Sequence, residues 1–332
     1  MTEWVFFVLP LLVLPIVLLF RFVGCGLNTK GEIEPEIPLP KKPIPPEVSP
    51  FEPIPTQAPS YRATIIAEPD LIAYWRLVDD PSDIPVDGSA PEAKDENKFQ
   101  NGKYIKVPPG LPPETGSEPA NGDFDSNQTS LIANQPVSTK CRSFKGGYVR
   151  VESKPDLYKD EFTIEAWINP QWTEKTGYEH TLIAAYGRYR KIPGAPVSWH
   201  GFRIFADQAD RWRIYLAKED GSGIVPMTAP PIVVHNAPTH LAVTVKTDAD
   251  GKKQVTMFVN VKPAAGTAER YSRPDGAPLF IGVNNTEPNP SNTPKPRHPV
   301  LSPIQEVALY KKALSPEVIK KHYDIGIGKG DV

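Results

Sequence analysis

Phe162-Thr163-Ile164-Glu165-Ala166-Trp167-Ile168-Asn169-Pro170 alternates strictly, sending Phe162, Ile164, Ala166 and Ile168 to one face and Thr163, Glu165 and Trp167 to the other. The stretch reads as a central strand. Asn169-Pro170 ends it, because the residue before a proline is held extended and the proline cannot donate to a ladder. Ile164 and Ile168 are expected to face a core between two sheets. Thr163 is expected on the opposite face, where losing its hydroxyl should cost less than about 1 kcal/mol.

Shorter segments of the same kind lie on both sides. Ile72–Leu77, Tyr104–Val107, Ser130–Ala133 and Tyr148–Glu152 precede the central strand; Thr181–Tyr186, Phe202–Ala206 and Trp212–Ala217 follow it. His240–Lys246 and Gln254–Asn260 flank Thr247-Asp-Ala-Asp-Gly251, a hairpin signal, because Asp250-Gly251 supplies the positive φ of a tight reversal. Leu279–Val283 and Ile304–Tyr310 close the set, separated by the proline-rich stretch Asn284–Pro303, which is expected not to pair. The long polar stretch Asp79–Gln128 reads as loop and decoration. Ser315-Pro316-Glu317 opens the one evident helix, with serine as N-cap and proline in the first turn, ending near Gly326. Short strands with polar turns and almost no helical periodicity give an all-β, antiparallel two-sheet jelly-roll sandwich with one short C-terminal helix.

Composition narrows the function. The formal net charge of the 332-residue chain is -2, with both signs interspersed, which excludes a basic footprint for nucleic acid. Its two cysteines, Cys25 and Cys141, match no zinc spacing, Cys-x-x-Cys motif or disulfide framework; Cys141 reads as a small buried residue. The six histidines form no His-Glu-x-x-His motif and no nucleophile-elbow pattern.

Residues 1–27 read as a membrane segment, because Trp4–Phe20 is an unbroken apolar run and a snorkelling Arg21 extends it to Leu27. Three fates stay open: uncleaved anchor, cleaved signal, or lipoprotein signal. Phe22-Val23-Gly24-Cys25 resembles a bacterial lipobox, which makes Cys25 the candidate lipidation site, although Met1-Thr2-Glu3 lacks the preceding basic residue. Residues 28–60 carry a proline every two or three positions and read as a polyproline II spacer. At about 3.1 Å per residue it would hold the domain at 61–332 several nanometres from the membrane.

Taken together, Ile72-Ala-Tyr-Trp-Arg-Leu77, Phe144-Lys-Gly-Gly-Tyr-Val-Arg-Val151, Phe162–Pro170, Leu182-Ile-Ala-Ala-Tyr186, Thr239-His-Leu-Ala-Val-Thr-Val245, Leu279-Phe-Ile-Gly282 and Ile304–Ser315 resemble the laminin G-like, concanavalin A-like lectin/glucanase jelly rolls in order and spacing. The resemblance spans roughly 61–326. It implies a sandwich that binds sugars or proteins, often with a calcium ion at one rim, but names no ligand, because the fold hosts many functions. Such domains are mostly extracytoplasmic, so the domain is expected outside. Arg21 and Lys30 on the C-terminal flank point the other way by the positive-inside rule.

Three chemistries follow from the resemblance. Glycosidases of this architecture carry Glu-x-Asp-x-Glu on one strand face; here Glu161-Phe-Thr-Ile-Glu165 has Thr163 in the middle, so the group that tunes the nucleophile is missing and no enzyme is expected. For calcium, Asp95 and Asn97 sit at the position of the acidic turn and Glu306 at the facing strand, where Gln305 replaces the usual aspartate; solvated turn residues are the rival reading. For a sugar, Trp172, Tyr178 and Trp199 are the candidate platform, against the alternative that they pack the rim. Tyr74, Trp75, Trp167, Trp212 and Tyr310 alternate within strands and read as core or sheet-face aromatics. The expectation is a membrane-tethered, non-catalytic module recognising a carbohydrate or protein; the rival is a structural or assembly module.

Overall fold

In the computed structural model, residues 60–78, 91–107, 122–173, 177–189, 198–218, 231–268, 270–285 and 296–329 are described. The expected membrane segment, Cys25 and the spacer up to residue 59 lie outside them. Along the chain come α1 (Tyr61–Ile66), β1 (Leu71–Trp75), β2 (Glu92–Ala93), β3 (Gly102–Ile105), β4 (Asp123–Thr129), β5 (Lys140–Lys145), β6 (Tyr148–Val151) and β7 (Phe162–Ile168). They are followed by β8 (His180–Tyr189), β9 (Ser198–Ala206), β10 (Trp212–Leu216), β11 (Thr239–Thr247), β12 (Lys253–Val259) and β13 (Lys262–Ala268). The last are β14 (Leu279–Ile281), β15 (Asn284–Asn285), β16 (Pro296–Arg297), β17 (Pro303–Tyr310) and α2 (Pro316–Gly326).

Two antiparallel sheets form the sandwich. Sheet A runs β13-β12-β11-β7-β17-β5-β4, with β1 also paired to β17, and sheet B runs β10-β9-β8-β14-β6-β3-β2. The strand β7 lies between β11 and β17, with Ile164 opposite Val243 on one side and Leu309 on the other. Ile164 and Ile168 join Phe202, Ile204, Leu182 and Trp212 of sheet B in the core between the sheets, as the alternation requires.

The other face of β7 departs from expectation, because every residue from Phe162 to Ile168 is buried. Both helices lie on the outer face of sheet A, where Tyr61 and Ile65 of α1 and Ile325 of α2 pack with Tyr74, Trp167 and Tyr310. The α1 helix, absent from the sequence reading, is capped by Ser60, which accepts from Ala63 N at 3.2 Å. The α2 helix starts as expected, with the Ser315 side chain accepting from Val318 N. Its end comes so close to the sheet that a Cβ on Gly326 would lie 2.3 Å from Trp167 Cζ2. Thr163 is fully buried: its hydroxyl donates to Lys312 O and accepts from Leu314 N, both at 2.8 Å, which ties β7 to the approach of α2.

Glu165 is the polar centre of this covered face. Fully buried, it is hydrogen-bonded by His240 Nε2 of β11 at 3.1 Å, by His322 Nδ1 of α2 at 3.0 Å, and by the Tyr310 hydroxyl of β17. His322 Nε2 meets Glu68 at 3.3 Å. Burial pushes the Glu165 carboxyl up, but His322 and His240 outweigh it and hold the group far below the usual carboxylate range. Burial pushes the His322 imidazole down, and Glu165 with Glu68 outweighs that and raises it.

Other sequence expectations were corrected at edges. Ser130–Ala133 is not a strand; the pairing lies in β4 and β5 on either side of it. β4 and β13 were missed because edge strands tolerate polar residues and proline that central strands do not. β13 follows β12 through Asn260 and Val261, both at positive φ (47° and 64°), the geometry of a two-residue hairpin turn. Within Asn284–Pro303, two residues on each side do pair, as β15 with β16.

Two outcomes are expected. Ile164→Ala should cost about 2 to 5 kcal/mol through lost transfer energy and a residual cavity, and Thr163→Ala about 1 to 2 kcal/mol, because it removes the partner of the Lys312 carbonyl and of the Leu314 N–H. Chemical denaturation measures both, and a Thr163→Ala as stable as wild type would contradict the packing of α2. The second concerns pH. With its folded pKa depressed, Glu165 contributes stability above its unfolded value near 4.5, which is lost as pH falls. With its folded pKa raised, His322 contributes below its unfolded value near 6.5, which is lost as pH rises. The pair therefore stabilises most between those values. His322→Gln should lower the melting temperature there and flatten its decline on the alkaline side; an unchanged alkaline slope would show that His322 does not set it.

Candidate functional site on the outer face of sheet B

Antiparallel register fixes which side chains share a face. In β8 and β9, Ala184 pairs with Arg203 and Tyr186 with Gly201; in β9 and β10, Arg203 pairs with Tyr215 and Phe205 with Arg213. The intervening Phe202, Ile204, Ile214 and Leu216 point into the core. The outer face of this corner is therefore lined by Trp199, Arg203 and Phe205 of β9, Tyr186 of β8, and Arg213 and Tyr215 of β10. Gly201 sits at φ 92°, and a Cβ there would lie 1.5 Å from Ala185 O, so no side chain separates Trp199 from Arg203.

Four rings run on from one another. Trp199 stacks on Tyr186 with centroids 4.9 Å apart and planes 19° apart, Tyr186 lies 6.2 Å from Tyr215, and Tyr215 meets Phe205 edge-on at 4.6 Å. Trp199, Tyr186 and Tyr215 are each half-buried, and Phe205 is fully buried. Burial raises the Tyr186 hydroxyl to about 12 and also raises that of Tyr215, so both stay protonated and serve as neutral hydrogen-bonding groups at physiological pH.

Charge lies among the rings. The Arg203 guanidinium stands 4.0 Å over the Phe205 ring, donates through Nε to Thr181 Oγ1 at 2.9 Å, and pairs through Nη1 with Glu179 at 2.8 Å. Glu179 also faces His298 Nε2 at 3.7 Å. Asp207 accepts from Arg213 Nε at 2.9 Å and from Arg211 Nη2 at 2.8 Å. Burial lowers the Arg203 pKa and Glu179 opposes the change.

Of the three aromatics read as a sugar platform, the structure brings Trp199 to this face. Tyr178 is half-buried next to Glu179 in sequence. Trp172 belongs to the core instead: it is 4% exposed, stacks on His180 at 4.3 Å, meets Trp212 edge-on and donates Nε1 to Asp210. Burial lowers the His180 pKa to about 4, so Trp172 packs on a neutral ring.

Asp95, Asn97 and Glu306 do not fit a calcium ion as they stand. Both Asp95 oxygens already accept from backbone N–H groups, those of Tyr74, Asn97, Phe99 and Gln100, at 2.8 to 2.9 Å. Asn97 turns its amide nitrogen to the Leu71 and Ile72 carbonyls. Glu306 is fully buried at a β-bulge and is bound by Arg76 Nη2 at 3.2 Å, Gln305 Nε2 at 3.0 Å and the Tyr74 hydroxyl. Burial raises its pKa and Arg76 opposes the change. Among the described residues no group of three or more His, Cys, Asp or Glu side chains could hold a metal.

A cleft of about 480 Å³ opens elsewhere, between 153–158 and Asp275-Gly276. Its one ring, Tyr158, is 6% exposed and donates its hydroxyl to Ala277 O, so the cleft has no stacking surface. The β8–β9–β10 corner, with rings beside charged and hydroxyl groups, is the better candidate.

No curated protein matches the sequence. Domain 4 of an extracellular arabinanase from Geobacillus stearothermophilus, in complex with arabinotriose, superposes with a TM-score of 0.45 at 15% identity, over 77% of this chain and 98% of that one. A mutant of Trypanosoma rangeli sialidase displaying trans-sialidase activity gives 0.47 at 15% identity over 78% of this chain, which spans 34% of the sialidase. The receptor binding domain of botulinum neurotoxin D gives 0.44 at 11% identity, over 77% of this chain and 52% of that one. The family model Laminin_G_3, described as the concanavalin A-like lectin/glucanases superfamily, matches residues 144–320, and with over half of its length matched the chain belongs to that family.

Proposed function

We propose that the protein is a non-catalytic binding module that recognises a carbohydrate outside the cytoplasm, tethered to a membrane through residues 1–27 and held off it by the proline-rich residues 28–60. The observation that carries this reading is the half-exposed stack of Trp199 on Tyr186, continued by Tyr215, on one sheet face. The apolar face of a sugar ring stacks on such a surface, and its hydroxyls find partners in the tyrosine hydroxyls, Glu179 and Arg213. The non-catalytic part is supported by the burial of Glu165, the carboxylate of the glycosidase-like stretch. It is 0% exposed and ringed by His240, His322 and Tyr310, so no glycosidic oxygen reaches it.

A glycan array probed with the full-length chain should return a ligand. Trp199→Ala should weaken binding of that ligand by about tenfold or more, roughly 1.4 kcal/mol, without lowering the melting temperature. Unchanged affinity in both Trp199→Ala and Tyr186→Ala would remove the platform. The tether is tested separately: Cys25→Ala releases the protein from the membrane fraction if Cys25 carries acyl chains, and leaves it there if the apolar run itself spans the bilayer.

A further inference from the structure

Arg203 is 4% exposed and only partly satisfied. Its Nε and Nη1 are taken by Thr181 and Glu179, while Nη2 is buried without a hydrogen-bond partner. A buried donor on a charged group left without an acceptor is costly. The guanidinium lies on the face occupied by the four rings, 4.0 Å over that of Phe205. The Tyr186 and Tyr215 rings on that face are half-buried, with centroids 6.2 Å apart.

The local charge favours an anion. Three guanidiniums, those of Arg203, Arg211 and Arg213, stand against two carboxylates, Glu179 and Asp207. The Nη2 group has a fixed planar geometry that suits an oxygen of a carboxylate, and a charge-assisted bond there is about twice as strong as a neutral one.

We propose that this corner binds a glycan bearing a carboxylate on one sugar, the carboxylate being received by Nη2 of Arg203 while a neighbouring sugar stacks on Trp199 and Tyr186. The inference rests on the reading of this face as a carbohydrate site and adds its chemical class. Both hexuronate and sialate residues carry the required group.

Surface plasmon resonance on the immobilised full-length chain compares a galacturonate tetrasaccharide with its neutral galactose counterpart, and sialyllactose with lactose. At least one acidic member should bind about tenfold or more tighter than its neutral partner, and which one does identifies the source of the carboxylate. Arg203→Lys, which keeps the charge and removes the fork, should abolish that preference. If that variant does not fold, the comparison of acidic and neutral sugars on the wild type still decides. Equal affinity for both members of each pair, lost in Trp199→Ala, would overturn the carboxylate proposal and leave the carbohydrate module standing. Binding of none of the four, nor of any glycan on an array, would remove both.

Discussion

A carboxylate taken out of water must have its hydrogen bonds supplied by the protein, and the closed face of sheet A is built around that requirement. Glu165 projects from β7, and each neighbouring element sends it one group: His240 from β11, Tyr310 from β17 and His322 from α2. The first two are in place once the sheet has paired. The third arrives only when α2 lies down on the sheet, which it does in one position, because Gly326 must meet Trp167 without a Cβ and Thr163 must bind the chain at Lys312 and Leu314. Apolar packing alone would let the helix slide, whereas these contacts admit one docking.

Much of this arrangement was legible in the residues. The alternation of 162–168 identified the central strand and its inward face correctly, since Ile164 and Ile168 do enter the inter-sheet core. It could not tell whether the other face met water. A strand covered on both sides by a sheet and by helices carries the same Thr-x-Glu-x-Trp pattern as one covered on a single side, and only the tertiary placement of α1 and α2 distinguishes them. The edges failed for a different reason. In β4 the sequence Asp-Phe-Asp-Ser-Asn-Gln-Thr has hardly any apolar residue to signal pairing, and in β13 proline and glycine argue against a strand. Their pairing is imposed by neighbours and turns rather than by their own composition.

The candidate site was harder to see. Trp199 was accessible to sequence reasoning because a tryptophan beside polar residues is conspicuous. Tyr186, Arg203, Phe205 and Tyr215 were passed over as parts of ordinary strands. A signal was present in the period: Trp199, Gly201, Arg203 and Phe205 alternate with His200, Phe202, Ile204 and Ala206, so one face of β9 is apolar and the other aromatic and charged. What period could not supply was the register with β8 and β10, which brings the four rings together. Trp172 misled for the converse reason. Placed just after the strand end, it reads as a rim residue, but its indole is drawn inward by His180 and by Asp210, which accepts its N–H.

The two faces also differ in how completely their buried charges are satisfied, and that difference bears on which of them meets a ligand. Glu165 has its three partners, and Glu306 has Arg76, Gln305 and Tyr74. Arg203 is nearly as deeply buried, yet its guanidinium keeps one amino group without an acceptor. A structural ion pair gains nothing from such a deficit, because the desolvation cost has been met without the compensating bond. In the proposed site the missing acceptor is what the ligand would bring. The closed carboxylates of sheet A thus belong with the helices that cover them, and the open guanidinium of sheet B belongs with the half-exposed rings beside it.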